Sequence, residues 1–123
     1  MANDFKSFSK ANIAIDSGTY STVYTVPYTA ADVESILLEV DVANTHSADV
    51  TVDVKVNKNS GGTGGTDDIF IVKSAPVPVG GAFKVVSGQK IVMEGSATGL
   101  DTITVAASVA NAADCIVSYL EDV

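Results

Sequence analysis

Hydrophobic residues recur at every second position through much of this chain. In residues 50–56 every second residue is valine, and the residues between them are polar. Because successive side chains of a strand point to opposite faces, this pattern predicts a strand with one buried and one solvated face. Val, Ile and Thr also dominate elsewhere, and these β-branched residues fit a pleated sheet better than a helix. The chain is therefore predicted to be all-β.

The segment TAADVESILLEVDVA is the most helix-like part of the chain, because Thr29 or Asp32 would make a suitable helix cap. With a period of two, however, the even-numbered residues from 34 to 42 form a cleaner apolar face, which favours a strand over about residues 35–43. The turn formers NTHSAD follow. This strand and the valine strand are thus predicted to form a hairpin.

Further strands are predicted on both sides of this hairpin. Their sequences are NIAI, TYSTVYTV, the short and largely buried IFIVK, AFKVV turning at SGQ into KIVME, and a closing hairpin of TITVAASVA with CIVSYLE. About eight or nine short strands at this spacing are typical of a two-sheet β architecture. We predict an antiparallel β-sandwich of jelly-roll type that forms one domain over residues 1–123.

Proline and glycine mark the boundaries of these strands. Pro76 and Pro78 remove two backbone donors, so APVPV is predicted to lie at a sheet edge or in a crossing between sheets. Gly80 and Gly81 permit a sharp reversal after it. The glycine-rich stretch 58–67 is predicted to be a loop.

Charge and hydropathy exclude two classes of partner. The chain has a net charge of -8, and its 7 basic residues are all lysine. A polyanion would be repelled, and the forked donor of arginine is missing, so nucleic-acid binding is not expected. No apolar run approaches the ~18 to 20 residues that cross a bilayer, and MANDFKSFSK lacks the apolar region of a signal peptide, so no membrane partner is expected.

Residues with catalytic or metal-binding chemistry are few. Cys115 is the single cysteine, and its strand position predicts a small buried residue rather than a reactive thiol. His46, the single histidine, lies in a turn and is interpreted as solvated. Asp67, Asp68 and Asp101 are considered as oxygen ligands for calcium, but ordinary solvated acids are the favoured interpretation. The sequence predicts no cofactor, no metal site and no enzymatic activity.

Five short motifs follow one another along most of the chain, from about Val23 to Glu121. They are a Y-T-V-P entry to a strand, an A-N-x-x-S turn, a P-x-P-x-G-G crossing, a G-x-x-I-x-x-E segment and a closing V-S-Y-L-E. In their order and spacing they resemble a group of small virion proteins of tailed bacteriophages. This chain departs from the group at GSATGLDTI, where the relatives have a shorter Gly-Asp turn.

The resemblance implies a non-enzymatic structural protein of the virion, made in the host cytoplasm. The favoured role is a capsid decoration, or cement, protein that bridges major capsid subunits as a homotrimer on the capsid surface. A tail, neck, baseplate or fibre adaptor is the alternative. A carbohydrate-binding module for host glycans is a further alternative, which the absence of tryptophan makes less favoured.

Five residues are predicted to form protein interfaces. Phe5, Phe8 and Lys10 lie in residues 1–10, which are interpreted as an arm that docks on a neighbouring subunit, with a frayed terminus or a simple first strand as equal alternatives. Pro76 and Pro78 are predicted to shape an edge that a neighbouring subunit covers.

Overall fold

The computed structural model describes residues 3–15, 20–59 and 67–122, and within these ranges the regular structure is entirely β. The strands are β1 (Asn3–Lys10), β2 (Ser21–Thr25), β3 (Val33–Asn44), β4 (Val50–Asn57), β5 (Asp68–Val77), β6 (Ala82–Gly95), β7 (Thr102–Ala107) and β8 (Ala113–Asp122). No helix in the described ranges is long and apolar enough to cross a membrane. The predicted all-β class is confirmed.

The described strands form two four-stranded antiparallel sheets. Sheet A has the strand order β1-β8-β3-β6, and sheet B has the order β2-β7-β4-β5. Apart from β4 and β5, strands that follow one another in the chain lie in opposite sheets. This interleaving of two Greek keys is the jelly-roll topology. The predicted antiparallel β-sandwich of jelly-roll type is confirmed.

The two predicted hairpins are wrong. Strand β3 pairs with β6 and β8, whereas β4 pairs with β5 and β7, so the NTHSAD turn joins the two sheets. The segment between β7 and β8 likewise crosses from sheet B to sheet A. Turn-forming residues show that the chain reverses direction. They do not show whether the next strand pairs in the same sheet or crosses to the opposite sheet.

Three predicted strand boundaries also differ from the structure. Strand β6 runs without interruption through residues 87–89, where a turn was expected, and its pairing with β3 is irregular there instead. Residues 12–15 contribute only an isolated bridge at Ile15. Strand β5 is an exposed edge strand of 10 residues rather than a short buried one.

The core lies between the inner faces of the two sheets. Every valine of β4 is buried, as the alternation predicts. In β3 a register shift between Leu37 and Glu39 changes which residues point inward. Val33 and Leu37 are buried before the shift, and Val40 and Val42 after it, so the predicted continuous even-numbered face is wrong in its first half.

Cys115 lies in this core on the inward face of β8, as predicted. Burial raises the pKa of its thiol to about 12, and the charge of Asp41 adds to the shift. The thiol is therefore protonated at neutral pH, which suits a packing residue.

Gly95 ends β6 where the backbone after β2 approaches closely. A Cβ atom at this position would overlap the carbonyl oxygen of Pro27. Gly80 differs, because it has a φ of 73° but nothing within 4 Å of an added Cβ. Glycine is thus required at position 95 because there is no room for a side chain, and it is favoured at position 80 because of the left-handed backbone.

We expect Gly95→Ala to lower the free energy of unfolding by about 3 kcal/mol, because the obstacle is backbone and the strand must shift. Gly80→Ala, the control, should cost about 1 kcal/mol through its left-handed backbone alone. Urea unfolding followed by far-UV circular dichroism measures both. An equal or smaller loss for Gly95→Ala would contradict the close approach.

Candidate interaction surface

A row of apolar side chains crosses the outer face of sheet A. Phe5 lies opposite Leu120, Leu120 opposite Ile36, and Ile36 opposite Val92, so the row spans all four strands. We call Phe5, Leu120, Ile36 and Val92 the apolar row. Phe5 is 79% exposed and Val92 is 54% exposed. Ile36 and Leu120 between them are half-buried, and an apolar strip of this kind is a candidate surface for contact with another protein.

Acidic residues border one side of the apolar row. Glu34 and Asp122, which are paired in register, join three members of the row in lining a depression of about 230 Å³. Ile116, 47% exposed, adds a further outward apolar side chain on β8. The face therefore offers apolar contact with a negatively charged rim.

Strand β1 places the predicted residues Phe5, Phe8 and Lys10 on one sheet edge. Phe5 shares the outer face with Leu120. Phe8 and Lys10 lie opposite Val117 and Cys115 in the register, which are buried, so their positions belong to the inner face. These three residues thus sit on one edge strand but on two faces of it.

A groove of about 350 Å³ opens between β1 and β2 beside Phe8. Phe8 is 45% exposed there, and Pro27 and Tyr119 also line the groove. Strand β2 has only 5 residues, so it does not cover the full length of the 8-residue β1. The inner side of β1 is consequently open to solvent.

A buried acidic residue ties β1 to the body of the molecule. Lys6 Nζ donates to Glu121 Oε1 at 2.9 Å, and the Tyr24 hydroxyl donates to Glu121 Oε2 at 2.6 Å. The Ser35 hydroxyl lies 2.9 Å from the Tyr24 oxygen, and the Tyr24 ring stacks on Tyr119 with centroids 3.8 Å apart. Burial, and next the hydrogen bond to Glu121, raise the pKa of Tyr24. Both oxygens of the buried carboxylate are thereby satisfied.

Pro76 and Pro78 lie at the opposite side of the sandwich from β1. Strand β5 is the edge of sheet B and contacts β6, whereas β1 contacts β2. Pro76 pairs with Thr51 within the strand, and Pro78 begins a turn closed by the Gly81 amide, which donates to the Pro78 carbonyl at 2.9 Å. The edge position predicted for APVPV is confirmed. The structure therefore separates the two predicted groups of interface residues.

The acidic residues considered as calcium ligands do not converge. The carboxylate of Asp101, which is fully buried, accepts from Lys58 Nζ at 2.6 Å and from the amides of Asn59 and Glu94 at 2.7 and 3.0 Å. Asp67 and Asp68 are exposed at the start of β5. Among residues 3–15, 20–59 and 67–122, no group of three potential metal ligands occurs. Most of the glycine-rich stretch, residues 60–66, lies outside the described residues.

His46 belongs to the turn between β3 and β4. Its backbone amide donates to Asn44 Oδ1 at 2.7 Å, and Asn44 Nδ2 donates to the carbonyls of Ala48 and Val77 at 2.9 and 3.0 Å. Asn44 thus fixes this crossing between the sheets and links it to the end of β5.

Aromatic rings on the outer face of sheet B already have cationic partners. Lys55 Nζ lies 4.3 Å from the Tyr20 ring centroid and 5.4 Å from that of Phe70, while Lys73 Nζ lies 4.9 Å from Phe70. The Tyr20 hydroxyl donates to the buried Asp53 at 2.9 Å, and Lys73 donates to the same oxygen at 3.2 Å. The alternation in β4 predicts a solvated Asp53. In the structure the side chains of Tyr20 and Lys73 lie over it, which explains its burial.

Asp41 is a partly buried carboxylate on the outer face of sheet A. Its Oδ1 atom is buried without a hydrogen-bond partner among the described residues. Burial, and next the hydrogen bond and charge of Glu39, raise the pKa of Asp41 to about 6, and the charge of Lys84 opposes them. Asp41 is therefore a charge that the folded state accommodates poorly.

Sequence reasoning found one of the four members of the apolar row. Phe5 was predicted, but Ile36 was assigned to the buried face and Val92 and Leu120 were not singled out. The register shift in β3 moves Ile36 outward, and no local pattern marks it. Val92 lies between Ile91 and Met93, which are more buried. Strict alternation in KIVME would therefore have predicted that Val92 points outward.

Comparison with family models and with curated protein sequences finds no match. Among solved structures, the VP2 subviral particle of infectious bursal disease virus is similar to this chain, with a TM-score of 0.53 and 12% sequence identity. The match covers 97% of this chain and 32% of VP2, so this chain spans about a third of the length of that protein. At this identity the likeness concerns the fold alone, and it agrees with the jelly-roll topology.

Two further solved structures give lower scores. The subunit of the disulfide-linked pili of Bacillus endospore appendages has a TM-score of 0.43 at 16% identity, over 98% of this chain and 85% of that one. The T13 particle of infectious bursal disease virus has a TM-score of 0.40 at 8% identity, over 97% of this chain and 30% of that one.

We expect Tyr24→Phe to lower the free energy of unfolding by about 1–3 kcal/mol, because the buried Glu121 loses a hydrogen-bond donor. The matched control is Tyr28→Phe, which removes the same atom from a tyrosine that is 37% exposed. Urea unfolding at pH 7 gives both values. Equal stabilities of the two variants would show that the Tyr24 contact contributes nothing.

Asp41→Asn should be more stable than the parent at pH 7, and the difference should shrink as the pH falls toward 4. The folded pKa of about 6 lies above the ordinary value of 3.8, so the folded state binds more protons between these values and stability decreases as the pH rises through that range. Unfolding midpoints at pH 4 and pH 7 test this.

Asp68→Asn is the control for Asp41→Asn, because it removes the same charge from an exposed position. An Asp41→Asn variant that behaved like Asp68→Asn at both pH values would contradict the account of Asp41.

Proposed function

We propose that the protein is a non-enzymatic structural component of a virion, most specifically a capsid decoration protein that bridges neighbouring major capsid subunits. The observation that carries the proposal is the apolar row on the outer face of a jelly-roll sandwich. A decoration protein needs an exposed surface complementary to its lattice, and many copies with modest contact energies then act together.

Three lines of support converge on this role. The jelly roll is a recurrent architecture of viral capsid proteins, and the VP2 protein with the similar fold comes from a virus particle. The resemblance of the sequence to small phage virion proteins covers most of the chain. The outer face of sheet A supplies the exposed surface that such a role requires, with Phe5 and Val92 at its two ends.

The buried polar residues support a structural role over an enzymatic one. The carboxylates of Asp53, Asp101 and Glu121 each accept hydrogen bonds from lysine and from other donors that hold strands together. The single histidine lies in the turn organised by Asn44. These groups are thus engaged in maintaining the fold.

A tail, neck, baseplate or fibre adaptor is the second candidate, because the same exposed face would serve an adaptor equally well. Copy number on purified particles separates the two. A stoichiometry near that of the major capsid protein supports decoration, whereas a much smaller number supports the adaptor. The homotrimeric arrangement stays a prediction for copies bound at local threefold positions of the capsid, and images of decorated particles test it.

The carbohydrate-binding alternative receives less support. Sugar rings stack on exposed aromatic faces, but the Tyr20 and Phe70 rings on the outer face of sheet B lie beneath Lys55 and Lys73. A glycan array that shows saturable binding would favour this alternative over the virion role.

The decoration role predicts that the apolar row is required for binding to capsids. Phe5→Ser with Val92→Ser should weaken binding to capsids that lack the protein by about tenfold or more, because two exposed apolar contacts are lost. The control is Ile69→Ser, which removes an apolar residue of 56% exposure from β5. Co-sedimentation with capsids measures binding. Equal binding of both variants, or no binding by the parent chain, would contradict the proposed role.

A further inference from the structure

The four sheet edges of this molecule differ in how well they could accept another strand. An edge strand presents unpaired backbone donors and acceptors, and proteins commonly block such edges with proline, bulges or short strands. The edge strands are β1 and β6 in sheet A, and β2 and β5 in sheet B. In the described residues these blocking features are unevenly distributed among the edges.

Three of the edges are interrupted. Strand β5 contains Pro76 and has Ser74 in a left-handed conformation with a φ of 53°. Strand β2 has 5 residues and a register shift, and β6 has register shifts against β3. Strand β1 pairs with β8 over all of its 8 residues without a shift, and it contains neither proline nor glycine. Among the described strands, β1 is thus the regular and unblocked edge.

The sequence of β1 is complementary to itself. If two copies pair antiparallel about a two-fold axis at Ser7, Asp4 of each copy lies opposite Lys10 of the other. In the same register Lys6 lies opposite Phe8, and Phe5 opposite Ser9. Opposite charges directly across an antiparallel pair are stabilising, and like charges are destabilising. Two ion pairs and no like-charge pair therefore favour this register.

Neighbouring registers are less favourable. Directly opposed residues of the two copies must point to the same side of the sheet. The two-fold axis must therefore pass through a residue, and alternative registers place it at a different residue of β1. An axis at Lys6 places the two copies of that lysine opposite each other, and an axis at Phe8 places Lys6 opposite Lys10. An axis at Phe5 leaves residues 8–10 unpaired. The axis at Ser7 pairs the longest run without repulsion.

The same register covers exposed apolar surface. Ser9 lies beside Ile116 within one copy, so Phe5 of the other copy, opposite Ser9, extends toward Ile116 across a small side chain. Phe5 is 79% exposed and Ile116 is 47% exposed in the single chain. Residues 3–10 also carry two lysines and one aspartate in a chain of net charge -8. The two copies would therefore meet at a segment of net positive charge, where the repulsion between two acidic chains is reduced.

We propose that β1 is a self-association edge, through which two copies of this chain join antiparallel about Ser7 into one continuous eight-stranded sheet. This two-fold contact is independent of the virion role and is distinct from the threefold arrangement expected from the sequence. It uses the backbone edge of β1, and it leaves Ile36 and Val92 of the apolar row exposed.

Site-specific disulfide formation tests the register. Opposed residues of an antiparallel pair lie about 4.5–5.5 Å apart at Cα, which suits a disulfide. Ser7→Cys should therefore form a covalent dimer of twice the 12.6 kDa chain mass under mild oxidation. Ser9→Cys is the matched control, because the two copies of residue 9 would lie about 14 Å apart. The native Cys115 is buried and does not compete.

Charge reversal tests the energetics. Asp4→Lys should weaken dimerisation in sedimentation equilibrium by about tenfold or more, because the change occurs twice in a two-fold interface. Adding Lys10→Asp should restore association to within about threefold of the parent, since the pairs re-form with exchanged signs. Far-UV circular dichroism and the urea midpoint verify that each variant is folded.

Four results would overturn the proposal. These are a parent chain that stays monomeric at millimolar concentration, a trimeric mass, equal crosslinking by Ser7→Cys and Ser9→Cys, and a double charge variant no better than Asp4→Lys. A dimer that crosslinks through Ser7→Cys in solution but fails to bind capsids would support the edge contact and contradict only the virion role.

Discussion

The structure depends on burying the inner faces of two sheets that are built mainly from valine. Valine fills a narrow space between sheets and loses little side-chain freedom in a strand. The side chains of β4 supply this surface in sheet B, and those of β3 and β8 supply it in sheet A. Because both central strands of each sheet contribute to this core, the described strands present their remaining surface on the two outer faces and at the sheet edges.

Alternation, β-branched composition and the spacing of the strands were sufficient to predict the all-β class and a sandwich of jelly-roll type, but not the strand pairing. The valines of β4 are buried as predicted, because they follow an unbroken period of two. The pairing of β3 with β8 joins residues far apart in the sequence, and the turn residues between β3 and β4 carry no information about it. The bulge near Leu37 reverses the face of Ile36, and only the partner strands determine where that bulge lies.

The five predicted interface residues stay a prediction, but composition alone marked positions that the structure places on sheet edges, and it could not supply the register of the strands. Phe5 and Phe8 are conspicuous as aromatic residues in a polar segment, and the structure places both on the exposed strand β1. The remaining members of the apolar row come from three other strands, so their alignment exists only after folding. Pro76 and Pro78 were recognised as edge residues from the chemistry of proline, which acts locally and needs no partner.

The Lys6–Glu121–Tyr24 network gives β1 a different physical character from a loose terminal segment. An arm that orders only on binding loses conformational entropy at that moment, which weakens its association. Here Lys6 is held by a carboxylate that is 3% exposed, and the hydroxyl of Tyr24 satisfies the other oxygen of that group. Strand β1 is therefore ordered against β8 before any partner arrives. Its free edge is preorganised for pairing, whereas proline and the left-handed Ser74 make the β5 edge on the far side unsuitable for it. The two edges thus differ in their capacity to pair with another strand, and β1 is the one whose backbone is ordered and free of blocking residues.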